Sequence, residues 1–168
     1  MTVKEASEAR SGPPEFDPLA VGRMVPQVEL EEVELLGAHF ERRDDGAVPP
    51  AEPFTEVPDE MGISVEWAVD AERRLLGCAL TFGTVFPDVE AQPYEVVARF
   101  RLTYRLVGDD LPDEADCDQF VNWNAVFNAW PYWREYLSST VNRGRLPRFV
   151  APVMRMPRGD AAAVPVGE

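Results

Sequence analysis

Three stretches in the middle of the chain alternate apolar and polar residues with a period of two, which is typical of half-buried β-strands. The apolar faces comprise Ile63, Val65, Trp67 and Val69, then Leu76, Cys78, Leu80 and Phe82, and then every second residue from Tyr94 to Leu106. The connections DAERR and PDVEAQP are short, so the three strands should be antiparallel neighbours. The opposite face of the third strand should be covered by solvent or by a partner, because it carries Glu95, Arg99, Arg101 and Arg105.

A fourth strand is predicted before these three, although its pattern changes phase twice. Apolar residues alternate first at Val28 and Leu30, then at Val33 and Leu35, and then at Leu36, Ala38 and Phe40. A strand that contains a bulge or bend explains such shifts. The prediction is therefore a twisted four-stranded antiparallel sheet.

Two helices are predicted after the sheet, which makes the fold class α+β. The acidic stretch GDDLPDEADCD ends in aspartates that can cap a helix over QFVNWNAVFNAW. Pro131 suits the first position of a second helix, and Gly144 suits the position just past its end. The predicted helix over 131–143 is apolar on two sides, with one stripe formed by Trp133, Leu137, Thr140 and Val141 and a flank formed by Tyr132 and Tyr136. One sheet face cannot cover both sides, so we expect a second copy of the chain to supply another layer.

The 168 residues fit one domain, predicted over residues 27–153. Residues 1–26 and 154–168 mix proline, glycine and charge without periodicity, so both are predicted to be flexible tails. A long proline-rich loop follows the first strand and holds Phe54 and Val57. Such long loops often carry function, and these apolar residues suggest that the loop packs down onto the domain.

Thirty acidic and sixteen basic side chains give a formal net charge of -14. This charge repels phosphate backbones and anionic lipid, which argues against nucleic acid and membranes as partners and favours basic or neutral polypeptide. Two cysteines are too few for a disulfide framework or a zinc site. With no apolar signal segment or membrane span, the sequence predicts a cytoplasmic protein.

The sequence contains few candidate catalytic residues. His39 is the single histidine, so it is interpreted as a structural residue, and no glycine-rich phosphate loop or serine elbow accompanies it. The carboxylate pairs Asp44-Asp45 and Asp109-Asp110 lie in breaker segments and are interpreted as solvated charge. We therefore predict no enzyme activity, no cofactor and no metal.

The segment PYWREYLSSTVNRGRLPRFVAPV resembles the signature region of SecB, the bacterial export chaperone. In that family a helix opens Pro-Tyr-x-Arg-Glu, closes Arg-Gly, and runs into x-(Phe/Leu)-Pro and Ala-Pro-(Val/Ile). The matching residues are Pro131, Tyr132, Arg134, Glu135, Arg143, Gly144, Leu146, Pro147, Ala151, Pro152 and Val153. Phe40-Glu41 and the proline-rich loop are also similar to the family's first strand and crossover loop, so the resemblance covers about residues 28–153.

The resemblance implies an ATP-independent holdase that assembles as a homotetramer, a dimer of dimers, and binds unfolded polypeptide clients in apolar grooves. The predicted client-binding residues are Phe40, Phe54, Val57, Trp130, Tyr132 and Leu146. The predicted oligomer-interface residues are Trp133, Tyr136, Leu137 and Val141. Trp130, like Trp123 and Phe127, fits a groove or the core equally well.

The chain departs from the family after Val153, where MRMPRGDAAAVPVGE shows no second amphipathic helix. In the family, that helix contributes to docking on the SecA motor. Its absence here argues against a function in protein export. Some SecB-like proteins protect an antitoxin instead, and the shortened form is compatible with that function. An antitoxin and a SecA-type motor are both candidate partners. The alternative is a non-chaperone module that binds one folded protein.

Overall fold

The computed structural model describes residues 15–42, 61–86, 94–108, 110–144, 151, 153 and 154. The predicted client-binding residues Phe54, Val57 and Leu146 lie outside this part of the chain. The strands are β1 (Val28–Arg42), β2 (Met61–Asp70), β3 (Leu75–Phe86) and β4 (Tyr94–Leu106). The helices are α1 (Pro18–Met24), α2 (Glu114–Phe120) and α3 (Val126–Arg143), with a 3-10 turn at Val25–Gln27 and a π-helical segment at Val121–Ala125.

The four strands form one antiparallel sheet in the order β1-β4-β3-β2. This confirms the predicted α+β class, with an antiparallel sheet followed by a long C-terminal helix. The two central strands, β3 and β4, alternate buried and more exposed residues along most of their length, as their sequence pattern predicted. β1 and β2 lie at the two edges of the sheet.

Two bulges interrupt β1, as its phase shifts predicted. The pairing with β4 skips one residue between Leu30 and Glu32 and another between Leu35 and Gly37. Residues paired across a sheet share a face, so each bulge restores the apolar residues of β1 to the face that β4 buries. Leu36 lies in the second bulge and does not pair in register with the apolar face as its sequence spacing suggested.

Helix α3 covers the central strands and closes the core. Trp133, Leu137 and Val141 are fully buried in a cluster with alternate residues of β3 and β4. Phe82 of β3 lies in the middle of this cluster, where its ring centroid is 5.7 Å from that of Trp133 and 6.0 Å from that of Trp130. Dense aromatic packing of this kind fixes the position of the helix over the sheet.

The opposite face of the sheet carries the charged residues of β4, as predicted. Arg99, Arg101 and Arg105 all project from β4. Arg99 contacts Glu66 of β2 at 2.8 Å, and Arg101 contacts Glu34 of β1 at 3.4 Å. These exposed cross-strand pairs add little stability individually, but they keep this face solvated.

The helical region begins earlier than predicted, and Pro131 does not begin a separate helix. The Asp113 side chain caps α2 by accepting a hydrogen bond from the Ala115 backbone N–H. Helical backbone then runs through the π-helical segment into α3, which contains Pro131 in its interior. Pro131 removes one backbone donor, and burial of Trp130 and Trp133 on either side offsets this loss.

The predicted N-terminal tail is wrong for residues 18–26, which are helical. Asp17 caps α1 by accepting hydrogen bonds from the backbone N–H groups of Leu19 and Ala20, and Pro18 occupies the first turn. Met24 is fully buried in the main core. The cap and the proline favour the start of this short helix, and burial of its apolar side against the rest of the protein stabilises it.

At the other end of the described chain, Ala151 is buried and Met154 packs against the core. Met154 lies just beyond the predicted domain boundary at residue 153. Across the described residues, we find no helix that combines the length and apolar character of a membrane span.

Candidate functional site

An apolar stripe on β1 remains half-open on the face of the sheet that α3 covers. We define this β1 stripe by its shared face and its half-buried or exposed side chains, namely Val28, Leu30, Val33, Leu35, Ala38 and Phe40. Leu30 is 43% exposed and Leu35 is 49% exposed. Their partners on β4, Tyr104 and Phe100, are buried. The stripe is more open than the central strands because α3 packs mainly on β3 and β4.

A second apolar row lies on β2, at the opposite edge. Its members pair with buried residues of β3 and are Met61, Ile63, Val65, Trp67 and Val69. Ile63 is 40% exposed, whereas the other four are half-buried. The indole Nε1 of Trp67 donates a hydrogen bond of 3.4 Å to Asp118, which ties this row to α2. The sheet therefore offers accessible apolar surface on both sides of α3.

The outer side of α3 adds aromatic surface between the two edges. Tyr132 is 45% exposed, and Phe127 is also exposed. Tyr136 is half-buried, with its ring stacked on that of Trp133 at 6.2 Å. The described chain therefore exposes aromatic rings on α3 as well as leucines on β1.

The predicted client-binding residues have different environments. Phe40 lies in the β1 stripe, half-buried, and stacks on Tyr94 with ring centroids 6.2 Å apart. Tyr132 is exposed on α3, so its ring is accessible to a ligand. Trp130 is only 7% exposed and contacts Phe82, so its assignment to a groove is wrong and it belongs to the core. The sequence left both environments open, and contact with the sheet decides between them.

The predicted oligomer interface also needs correction. Trp133 and Leu137 have no exposed surface, and Val141 is only 1% exposed. They cannot contact a second copy of the chain, because the sheet of their own protomer covers them. Of the four predicted residues only Tyr136 retains accessible surface. The sequence prediction failed because it underestimated how much ring surface the central strands can cover.

Sequence reasoning identified Phe40 of the β1 stripe as a client-binding residue but missed Leu30 and Leu35. The apolar residues of β1 were recognised, but the sequence gives no strand order and so does not show that β1 is an edge strand. Knowledge that β1 is an edge strand would have identified Leu30 and Leu35. The two bulges also concealed the common face of these residues.

The two cysteines in the described chain are not activated as nucleophiles. Burial raises the pKa of the Cys78 thiol to about 12. Burial, with a smaller contribution from Asp116, also raises the pKa of Cys117 to about 12. Both thiols stay protonated at neutral pH and are poor nucleophiles. His39 is exposed, and within the described ranges no group of three or more histidine, cysteine or acidic residues could hold a metal.

One ion pair joins the N-terminal helix to the rest of the protein. Arg23 Nε lies 2.8 Å from Asp116 Oδ2, and its terminal nitrogen lies 2.6 Å from Oδ1. These hydrogen bonds lower the pKa of Asp116 below its ordinary value, although burial of the carboxyl opposes the shift. The bidentate geometry fixes α1 against α2, because an arginine fork holds a carboxylate in one orientation.

Comparison with known proteins identifies the architecture. No family model and no curated protein matches the chain. Among solved structures, it is similar to the SecB-like chaperone Rv1957 of Mycobacterium tuberculosis, solved in complex with a ChAD peptide from the Rv1956 HigA1 antitoxin. That match has a TM-score of 0.61 and 16% identity, and it covers 81% of this chain and 97% of that chain. The fold is SecB-like.

A protein of unknown function from Streptococcus agalactiae is a more distant structural match. It has a TM-score of 0.48 and 10% identity, and the match covers 75% of this chain and 97% of that chain. The SecB-like fold of the present chain therefore rests on the mycobacterial structure and on the sheet and helix described above.

Proposed function

We propose that this protein is an ATP-independent chaperone that binds non-native polypeptide and prevents its aggregation. The observation that carries the proposal is the half-open β1 stripe, on which two leucines are more than two-fifths exposed. A row of apolar side chains along an edge strand suits an extended segment, since alternate side chains of that segment can lie against it.

The charge of the protein supports binding to unfolded rather than nucleic-acid partners. The net charge of -14 attracts segments with basic residues and repels phosphate. On the polar face of the sheet, the arginines of β4 are paired with glutamates, so they are partly neutralised by their neighbours. Electrostatic attraction would bring basic segments to the protein, and the apolar stripe would hold them.

An antitoxin is the client that we favour. The SecB-like neighbour was solved with a peptide from an antitoxin, which supports a peptide client for the same architecture. Export precursors are the second client class that we consider, with a SecA-type motor as the partner. We expect that motor to bind weakly, because the residues after Val153 lack the periodic apolar stripe of an amphipathic helix.

We further propose that the chain assembles as a homotetramer through surface on the outer side of α3. The exposed Phe127 and Tyr132 and the half-buried Tyr136 are the residues available for this contact. Light scattering should give four times the chain mass of 18.8 kDa. A stable species at 18.8 kDa and micromolar concentration would contradict the assembly while leaving the client site on β1 intact.

The function is tested by suppression of aggregation of several unrelated unfolded proteins. Leu30→Ser combined with Leu35→Ser should weaken client binding by about 10- to 30-fold, since each leucine contributes roughly 1 kcal/mol when half its surface is buried. The matched control is Leu19→Ser combined with Val25→Ser, which alters two exposed apolar residues outside the stripe. Equal loss in both double variants would contradict the assignment of the stripe.

Client range separates this function from the alternative of a module that binds one folded protein. A chaperone should delay aggregation of several proteins that share no sequence. A dedicated module should protect one protein and leave the others unaffected. The remaining predicted groove residues, Phe54, Val57 and Leu146, enter this proposal as additional client contacts.

A further inference from the structure

The short segment before α1 is held by its own chain as an extended peptide. The backbone N–H of Asp17 donates a hydrogen bond of 3.0 Å to Gln119 Oε1, and Gln119 Nε2 donates one of 2.9 Å to the Glu15 carbonyl. The side-chain amide thus pairs with the main chain on both sides of Phe16, as a neighbouring strand would. Such pairing recognises backbone and is independent of side-chain identity.

An aromatic contact completes this arrangement. The ring of Phe16 meets that of Trp123 edge to face, with centroids 5.3 Å apart and an angle of 71°. Residues four apart on a helix are neighbours, so Gln119 and Trp123 can engage the backbone and the side chain of one peptide residue together. Trp123 also lies in the π-helical segment Val121–Ala125, and such irregular turns occur frequently at functional sites.

The charges of segment 15–17 do not complement the surface that it occupies, because both are acidic. Glu15 and Asp17 flank Phe16, while the helix beneath carries Asp113, Glu114, Asp116 and Asp118. Asp17 and Asp113 both influence the pKa of Arg23, so these carboxylates share one electrostatic environment. The buried Nε1 of Trp123 forms no hydrogen bond within the described chain. A better ligand would place positive charge beside its aromatic residue.

The attachment of α1 does not depend on Glu15 and Phe16. Met24 is buried in the core and Arg23 is paired with Asp116, whereas Phe16 is only half-buried. Asp17 caps the helix and marks the boundary between the two parts. Residues 15 and 16 could leave the surface while α1 stays in place.

We propose that Gln119 and Trp123 form a second client site, which takes an extended segment with an aromatic residue flanked by lysine or arginine. Glu15 and Phe16 occupy this site as an internal competitor, and a client must displace them. The inference rests on the proposed chaperone function and deepens it, since it names a distinct site and the preferred sequence of its ligand. The affinity for clients is lowered by the fraction of molecules in which the site is filled.

The test uses two fluorescein-labelled hexapeptides and the full chain. One peptide has the sequence of residues 13–18, and the other carries lysine in place of both acidic residues. Anisotropy should show tighter binding of the lysine peptide at low salt, because the site is acidic. Phe16→Ala should strengthen its binding by about three- to tenfold, since the internal competitor loses its aromatic contact.

A double variant separates release of this site from general loosening of the fold. Adding Gln119→Ala to Phe16→Ala should remove the gain, because the released site can no longer pair with the peptide backbone. A gain that survives Gln119→Ala would overturn the proposal, as would unchanged binding by Phe16→Ala. Phe16→Leu serves as a milder second variant and should give a smaller gain with an unchanged unfolding midpoint.

The peptide-binding measurement and the aggregation assay test the second site and the chaperone function separately. Suppression of aggregation without binding that depends on Phe16 and Gln119 would overturn the second site and leave the chaperone function intact. Peptide binding with the expected dependence, but no suppression of aggregation, would support the site and overturn the chaperone function. Absence of both would overturn both.

Discussion

Leu35, Phe100, Leu80 and Val65 form one row across the sheet, on a single face, yet they have different environments. Phe100 and Leu80 in the central strands are almost completely buried, whereas Leu35 on β1 is 49% exposed and Val65 on β2 is half-buried. The chemistry of the four side chains is alike, so the position of α3 makes the difference. Strand order thus divides one apolar face into a centre that stabilises the fold and edges available for recognition.

The largest expected effect comes from a charge at the centre of the core. Leu137→Asp should prevent stable folding, because a carboxylate would be buried without a partner at a cost on the order of 5 kcal/mol. Circular dichroism and light scattering should show an unfolded or aggregated chain. A folded protein of reduced oligomeric state would contradict the core assignment and return Leu137 to a subunit interface.

A matched pair of truncations tests the row itself. Leu80→Ala should lower the free energy of unfolding by about 2–5 kcal/mol, because it leaves a cavity beneath α3. Leu35→Ala should lower it by less than about 1 kcal/mol, since half of this side chain is already in water. Denaturant titration measures both values. Similar losses would show that the edge is covered in solution and would refute the distinction between centre and edge.

The sequence predicted the sheet more fully than the candidate site. Alternation in β3 and β4 identified the buried face, and the phase shifts in β1 indicated a strand that bulges or bends. The order of strands depends on pairing between distant segments, which alternation does not encode. Consequently Leu30 and Leu35 on β1 were not recognised as part of a site. Trp133 was assigned to a subunit interface and Trp130 was left open between a groove and the core, although the sheet buries both.

The N-terminal helix shows a second limit of sequence reasoning. Its seven residues are too few to form a stable helix alone, and its neighbours are rich in proline and glycine. The cap at Asp17 and the proline at position 18 were readable signals. The decisive contributions are tertiary, namely burial of Met24 and the ion pair of Arg23 with Asp116.

We expect a smaller effect on the rates at which the two cysteines are alkylated. Both thiols are buried, but Cys78 lies in β3 at the centre, whereas Cys117 lies in α2, against which α1 packs. Arg23→Ala removes the ion pair of α1 and should speed alkylation of Cys117 without changing that of Cys78. Mass spectrometry after iodoacetamide treatment at pH 8 measures both rates. Parallel acceleration of both sites would indicate global loosening and contradict local release of α1.

The smallest expected effect is a pH dependence of the local stability of α1. The pKa of Asp116 is lowered in the folded protein, chiefly by hydrogen bonds from Arg23. Its stabilising contribution is therefore complete above the unfolded-state pKa of about 3.9 and is lost as pH falls through the lower folded-state value. Amide-exchange protection of α1 should fall relative to α3 as the pH falls below about 4. Asp116→Asn should abolish this dependence, and its persistence in that variant would assign the effect to another group.

The bulges of β1 have a consequence for self-association. A long edge strand with exposed leucines is a template on which identical chains can add strands and form fibres. The bulges divide β1 into regular runs of three, four and six residues, at 28–30, 32–35 and 37–42. No added strand can therefore follow the whole edge in one register. Deleting Glu31 and Leu36 together would keep the apolar residues on their present face while straightening the edge, and we expect that variant to polymerise.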